Sequence, residues 1–310
     1  MIIANGWTDY EVLDASDGEK LERWGNYLLI RPDPQVIWTT DKKHHGWKHP
    51  NAHYHRSSKG GGEWEFFDLP EEWSIHYKEL IFNLKPFAFK HTGIFPEQAA
   101  NWNWAADLIQ KRIRRSADTA SRPGKDDDVH SASDQTKPVK ILNLFAYTGG
   151  ATISALHAGA SVTHVDASKG MVTWAKENAV STGVVDKPVR WLVDDCVKFV
   201  EREIRRGNTY DGIIMDPPSY GRGPKGETWK IEDCVFDLIK KSALLLSDDP
   251  LFFLINSYTT GLQPGVLKTM TDLVITPAKG GTSSADEIGL PISGSDLILP
   301  CGACGRWEAD

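Results

Sequence analysis

Two stretches of this 310-residue chain constrain its fold more than any others. Residues 142 to 152 read Leu-Asn-Leu-Phe-Ala-Tyr-Thr-Gly-Gly-Ala-Thr, an apolar run that meets a glycine pair and then helix-compatible residues. Residues 212 to 220 read Gly-Ile-Ile-Met-Asp-Pro-Pro-Ser-Tyr, a second apolar run closed by an acid, two prolines and an aromatic. Short continuous apolar runs between such breakers are the pattern of buried strands in a parallel sheet. In an open α/β sheet both run ends lie at one edge, which is where ligands bind.

The surrounding sequence has the alternation that such a sheet needs. Strands are expected at Val139 to Phe145, Ser161 to Asp166, Val189 to Val193, Gly212 to Met215 and Leu251 to Asn256. Helices are expected at Ala151 to Ala160, Lys169 to Val180, Val197 to Arg206, Ile231 to Leu246 and Gly265 to Leu273. The tail offers one convincing strand, near Asp296 to Leu299. Three regions follow. Residues 139–310 form the α/β domain. Residues 1–86 carry short apolar runs (Tyr27 to Ile30, Val36 to Trp38, Trp64 to Phe67) and read as a small β-rich domain. Residues 87–138 bridge the two, with a loop at His91 to Gln98, a helix from Gln98 to Arg114 and a polar linker over 115–138. Eight of the 12 tryptophans lie before residue 105, where they serve either as the core of the β domain or as stacking surfaces.

Composition narrows the classes. No apolar run reaches the roughly 18 residues of a membrane span, and the start Met1-Ile-Ile-Ala-Asn-Gly-Trp7 lacks the regions of a signal peptide, so a cytoplasmic protein is expected. The net charge of −7 does not advertise nucleic-acid binding, although Lys42-Lys43-His44-His45 and Lys111-Arg112 with Arg114-Arg115 are local basic clusters that otherwise read as solvated faces. The four cysteines are few for a disulfide framework, and Cys301-Gly-Ala-Cys304 has no second pair to complete a zinc site; no metal is expected.

The candidate chemistry sits at the strand ends. Gly149-Gly150 allows a tight turn whose backbone N–H groups face a carboxylate at a helix N-terminus. Asp166 ends the next strand and can accept from both hydroxyls of a ribose, or cap a helix. Asp194-Asp195 follows the third strand; Asp195 is the better partner for an adenine amino group, and either acid can instead cap the helix beyond. The glycine fingerprint of dinucleotide sites is absent, which disfavours a nicotinamide or flavin. In Asp216-Pro217-Pro218-Ser219-Tyr220 the prolines fix the backbone and leave carbonyls free to accept, Asp216 can orient an N–H, and Tyr220 can stack on a planar acceptor.

From about Asp9 to Trp307 the chain resembles the large-subunit ribosomal RNA methyltransferase family typified by the cytosine-C5 enzymes. The matching stretches are His91-Thr-Gly-Ile-Phe-Pro-Glu-Gln98, Leu142-Asn-Leu-Phe-Ala-Tyr-Thr-Gly-Gly150, Val165-Asp-Ala-Ser168, Val193-Asp-Asp195 and Asp211 to Tyr220. The resemblance implies a Rossmann-like, seven-stranded class I methyltransferase domain with a small β-rich N-terminal accessory domain, S-adenosylmethionine (SAM) as methyl donor, and an RNA substrate, most readily ribosomal. It places the cofactor against Phe145, Ala146, Tyr147, Thr148, Gly149, Gly150, Asp166, Ala167, Ser168, Asp194, Asp195 and Asp216, with a loop around Gln98 closing over it. It places catalysis on Asp216, Pro217 and Tyr220.

One departure bears on the reaction. Methylation of a pyrimidine C5 needs a cysteine thiolate that adds at C6. The cytosine-C5 members place it just after the fifth strand, where this chain reads Leu254-Ile-Asn-Ser-Tyr-Thr259, and Cys196 and Cys234 lie in expected helices. A nitrogen or other heteroatom acceptor therefore fits better than cytosine C5. The competing readings are a methyltransferase for a small molecule or protein, suggested by the acidic charge, and a non-catalytic SAM- or RNA-binding module.

Overall fold

The computed structural model describes residues 1–57, 61–87, 90–120, 138–222 and 228–310. Gly, Asp and Pro interrupt the N-terminal apolar runs often enough that only short strands form: β1 (Ile2–Ile3), β2 (Tyr10–Ser16), β3 (Glu19–Trp24), β4 (Tyr27–Pro32), β5 (Ala52–Arg56), β6 (Gly62–Phe66), β7 (Trp73–Tyr77) and β8 (Leu80–Leu84). Strands β2 to β6 make one sheet in sequence order, and β7 and β8 a separate hairpin. Asp17-Gly18, with φ of 54° and 78°, closes the β2–β3 hairpin as the two-residue turn that an Asp-Gly pair favours. Val36 to Trp38, expected as a strand, is instead irregular: the Val36 and Trp38 carbonyls accept from the N–H groups of Gly18 and Asp17, so the segment covers this turn.

A short 3₁₀ turn, Pro96–Gln98, leads into helix α1 (Ala99–Ala120). The expected helix is thus right in place but short by six residues at its end, and residues 115–120 of the expected linker are helical. Within this added length the Ser116 and Thr119 hydroxyls bond back to carbonyls four residues earlier. The rest of that linker, residues 121–137, lies outside the described residues.

The α/β half then runs β9 (Lys140–Leu144), α2 (Gly150–His157), β10 (Ser161–Asp166), α3 (Lys169–Thr182), β11 (Val189–Val193), α4 (Cys196–Arg206), β12 (Gly212–Met215), the hairpin β13 (Tyr220–Arg222) with β14 (Thr228–Lys230), α5 (Ile231–Ala243), β15 (Phe252–Ser257), α6 (Pro264–Val274), α7 (Thr276–Lys279), β16 (Thr282–Pro291) and β17 (Ile298–Glu308). The sheet order is β1-β16-β17-β15-β12-β9-β10-β11, parallel from β15 to β11 and antiparallel around β17. Seven strands form the class I core and the two-residue β1 adds an eighth at the edge by pairing with β16. The tail is the largest correction: two long strands replace the single short one expected. Gly302 and Gly305 lie where a Cβ would stand 2.9 Å from the Tyr258 ring and 3.0 Å from Leu267, so close packing, not hydrophobic patterning, selects the residues there.

Apolar clusters cover both faces of the sheet. One runs from the N-terminal region (Trp24, Phe82) through Trp102 to Ile153 and Leu156; the other joins Phe199, Leu238, Phe253 and Trp307. Trp24 and Trp102 are buried and most other N-terminal tryptophans pack against the first cluster, which bears out their reading as core. All four cysteines are free thiols, with Cys301 and Cys304 both on β17. Among the described residues no helix is long and apolar enough to cross a membrane.

Candidate active site

Strand order reverses between β9 and β12, and a cavity opens at their C-terminal ends. Its wall includes Phe95, Gln98 and Trp102 from the bridge, Phe145 to Thr148 and Gly150 from the glycine loop, Asp216 after β12, and Asn256 near the end of β15.

The loop after β9 is wound unusually tightly. Phe145 and Tyr147 take left-handed φ of 55° and 50°, and Gly149 takes 85°. Non-glycine residues hold such angles only where their surroundings dictate it. Here the N–H groups of Phe145, Ala146, Tyr147 and Gly149 donate in turn to Cys196 Sγ (3.2 Å), the Val165 carbonyl (3.1 Å), Asp166 Oδ2 (2.8 Å) and the Ala146 carbonyl (3.0 Å). The Thr148 hydroxyl donates to the Gly93 carbonyl and ties the loop to the bridge. Gly149 caps α2 without a side-chain acceptor, so the first-turn N–H groups keep their capacity for an anion. A Cβ on Gly150 would lie 2.5 Å from Trp102, so only glycine lets α1 approach this closely.

Asp166 sits half-buried at the end of β10. Its two oxygens accept from the N–H groups of Tyr147 and Ser168, each at 2.8 Å. Burial raises its carboxyl above the usual range even against these two donors. Ala167 and Ser168 are exposed, and the Ser168 hydroxyl caps α3. Asp195 caps α4 through the Lys198 N–H at 2.9 Å, and Asp194 pairs with Arg202. Both acids thus have partners within the chain, and neither lines the cavity.

Beyond β12, Asp216 is half-buried on the cavity wall. Burial, and secondarily the charge of Glu97, pushes its carboxyl up to about 7. Pro217 is buried, and the Pro218 carbonyl accepts from Trp229 Nε1 at 2.6 Å. Tyr220 begins β13, 51% exposed and outside the cavity wall.

Sequence reasoning missed a connected polar group opposite Asp216. Arg306 Nη2 donates to Asn101 Oδ1 (2.6 Å), Asn101 Nδ2 to Asn256 Oδ1 and to Gln98 Oε1 (both 2.9 Å), and Gln98 Nε2 to the Tyr258 hydroxyl (2.7 Å). That hydroxyl donates to buried Glu97, 2.9 Å away. Gln98 was singled out, but apart from Asn101 its side-chain partners, Tyr258 and Asn256, lie 160 and 158 positions away. The available signal was the stretch Leu254 to Thr259, singled out because it has no cysteine where the resemblance implies one. The stretch itself holds no thiol; Cys304 on β17 lies opposite Asn256 in the β15–β17 ladder, and burial pushes its thiol and that of Cys301 up. Cys196 lies beneath the glycine loop, where burial pushes its thiol far up, and Cys234 lies on α5.

The residues present fit a nucleoside-bearing cofactor with a carboxylate tail. Besides the uncapped helix start and the Asp166 carboxylate, the Tyr147 hydroxyl is buried without a partner in the cavity wall. Burial pushes that hydroxyl up to about 12 and keeps it a donor.

Comparison with known proteins agrees. Residues 128–269 match the family model for S-adenosylmethionine-dependent methyltransferases. A solved SAM-dependent methyltransferase from Agrobacterium tumefaciens is 32% identical, superposes with a TM-score of 0.86, and is matched over 100% of this chain and 93% of its own. Ribosomal RNA large subunit methyltransferase K/L of Pseudoalteromonas atlantica is 38% identical over 100 residues, 32% of this chain, and that of Vibrio campbellii 42% over 89 residues, 28% of this chain. The matches span only 14% and 12% of the length of those two relatives. With the fold, the glycine loop and a full-length relative in agreement, this chain belongs to the S-adenosylmethionine-dependent methyltransferase family.

Proposed function

We propose that the enzyme methylates a nitrogen, or another heteroatom, on a base of large-subunit ribosomal RNA. The observation that carries the reading is Asp216 on the cavity wall at the head of a Pro-Pro turn, its carboxylate raised by burial to about 7, in a chain whose stretch Leu254 to Thr259 has no cysteine. The RNA substrate rests on the names of the curated relatives, which match part of the chain. A cytoplasmic location suits it.

SAM supplies a methyl group on a sulfonium centre. In this reading the first turn of α2 receives its carboxylate tail, Asp166 its ribose hydroxyls and the Asp194-Asp195 turn its adenine. Residues Phe145 to Thr148 wall it, and Gln98 closes the bridge side. Asp216 accepts a hydrogen bond from the acceptor N–H, aims the nitrogen lone pair and takes the departing proton at its carboxylate. Pro217 fixes that carboxylate and Tyr220 meets the acceptor's face from the exposed side. Holding both partners in line supplies most of the acceleration for such a displacement.

The test is transfer of labelled methyl from SAM into large-subunit ribosomal RNA transcribed without modifications, followed by nucleoside analysis. An N-methylated nucleoside is expected. 5-Methylcytosine would overturn the heteroatom assignment. Label that survives RNase in a cell extract would move the substrate to a small molecule or protein, the reading that the net charge of −7 favours.

A further inference from the structure

The stretch that holds cysteine in the cytosine-C5 enzymes holds Tyr258 here, and the structure builds a rigid platform from it. The hydroxyl is clamped at both ends of its hydrogen-bonding capacity: Gln98 Nε2 donates to it at 2.7 Å and it donates to Glu97 Oε1 at 2.9 Å. The ring rests on β17 at Gly302, where a Cβ would stand 2.9 Å from it, so the bed fits only glycine. Phe95 braces it from the side, with ring centroids 5.6 Å apart and planes at 32°. Yet the residue as a whole remains 37% exposed, just beyond Asn256 of the cavity wall. Its loop is joined to the Asp-Pro-Pro loop through Thr259 Oγ1 and Ser219 Oγ, 2.5 Å apart. An aromatic ring fixed in orientation, in a partly exposed residue, and joined to the loop that carries Asp216 can serve to stack a planar group.

We infer that Tyr258 is the platform on which the acceptor base lies beside Asp216, and that buried Glu97 is a positioning residue that holds it there. The inference rests on the methyl-transfer reading of the site, and it names the acceptor class: a planar heteroaromatic base, not an aliphatic amine or a carboxylate. Fixing the ring before the acceptor arrives reduces the ordering cost of binding.

Equilibrium binding of the four nucleoside monophosphates, each offered at millimolar concentration to the full-length protein saturated with S-adenosylhomocysteine, tests it. Wild type is expected to bind at least one of them. Tyr258→Ala should weaken that binding about tenfold, in line with the loss of one base-stacking contact. Tyr258→Phe should retain most of it, and Glu97→Gln should lie between the two. Affinity for S-adenosylhomocysteine should stay within about twofold in all three, which separates platform loss from misfolding. Equal nucleotide binding by wild type and Tyr258→Ala would overturn the inference, as would no binding by wild type. The ribosomal RNA reading fails separately, if wild type transfers no label to the transcript while the nucleotide series behaves as expected.

Discussion

Asp216 stands under two opposing demands. The proposed methyl transfer to an N–H acceptor needs its carboxylate charged, while burial and the neighbouring Glu97 hold the proton on up to about 7. In the unfolded chain an aspartate loses its proton near pH 4. Between those values the folded protein keeps a proton that the unfolded chain has released, so the contribution of Asp216 to stability is present below about pH 4 and is lost as pH rises through 7. Asp216→Asn should therefore match wild type in thermal stability near pH 4 and exceed it by on the order of 1 kcal/mol at pH 8, after allowance for its partial exposure. A variant less stable than wild type at pH 8 would show that the native fold favours the charged form. Turnover should move the other way. Wild-type rate should climb through about pH 7, and Asp216→Asn should lower kcat at least about 100-fold with SAM affinity within about threefold. An equal loss in both would place Asp216 on the methionine tail. Asp166 differs, because its oxygens already hold the Tyr147 and Ser168 N–H groups. Asp166→Ala should weaken SAM binding by about 2 kcal/mol, through the lost ribose contact and the loosened loop together. Unchanged affinity by calorimetry would remove the ribose assignment.

At the scale of elements, the readable parts were those in which one local pattern decides the outcome. Ser161 to Asp166, Val189 to Val193 and Gly212 to Met215 were expected residue for residue; the inner strand Gly212 to Met215 is a wholly buried apolar run, and the other two, mixed in composition, are bounded by clear loop and helix signals. Strand β16 escaped notice and only the first residues of β17 were expected: Thr282 to Glu287 is largely polar, and Gly302 and Gly305 answer to Tyr258 and Leu267, residues known to be close only once the sheet is formed. The same division runs through the site. The glycine loop, Asp166 and Asp216 lie on local motifs, whereas Glu97, Asn101, Asn256 and Tyr258 gain meaning from bonds between the bridge and β15. A tight junction between helices is α1 on α2, where a Cβ on Gly150 would stand 2.5 Å from Trp102. Gly150→Ala should cost about 1–3 kcal/mol by overpacking in urea denaturation, and Trp102→Phe in the same chain should recover part of that loss. Gly150→Ala as stable as wild type would mean that α1 shifts freely, and the bridge would then not be a fixed wall of the cofactor site.

Across the whole molecule, the first 86 residues do more than decorate the methyltransferase core. Strand β1 extends its sheet through Ile2 and Ile3, and Trp7 lies 6.3 Å from Trp102, the residue that packs on Gly150. The β7–β8 hairpin is bonded along α3: the Ile81 N–H donates to Thr182 Oγ1, the Asn83 N–H to Asn178 Oδ1, and Trp174 Nε1 to the Asn83 carbonyl. Asn178 also holds the Thr148 carbonyl of the glycine loop, so the hairpin is one residue removed from the cofactor wall. We propose that the accessory region is a structural part of the cofactor site. Removing it would bare the apolar cluster that Trp24 and Phe82 share with Trp102, and would leave the Asn178 and Thr182 side chains without their hairpin partners. A chain beginning at residue 87 should then give no cooperative thermal transition, bind a hydrophobic dye strongly and show no measurable SAM affinity. A cooperative transition with wild-type SAM binding would instead establish residues 1–86 as an independent module.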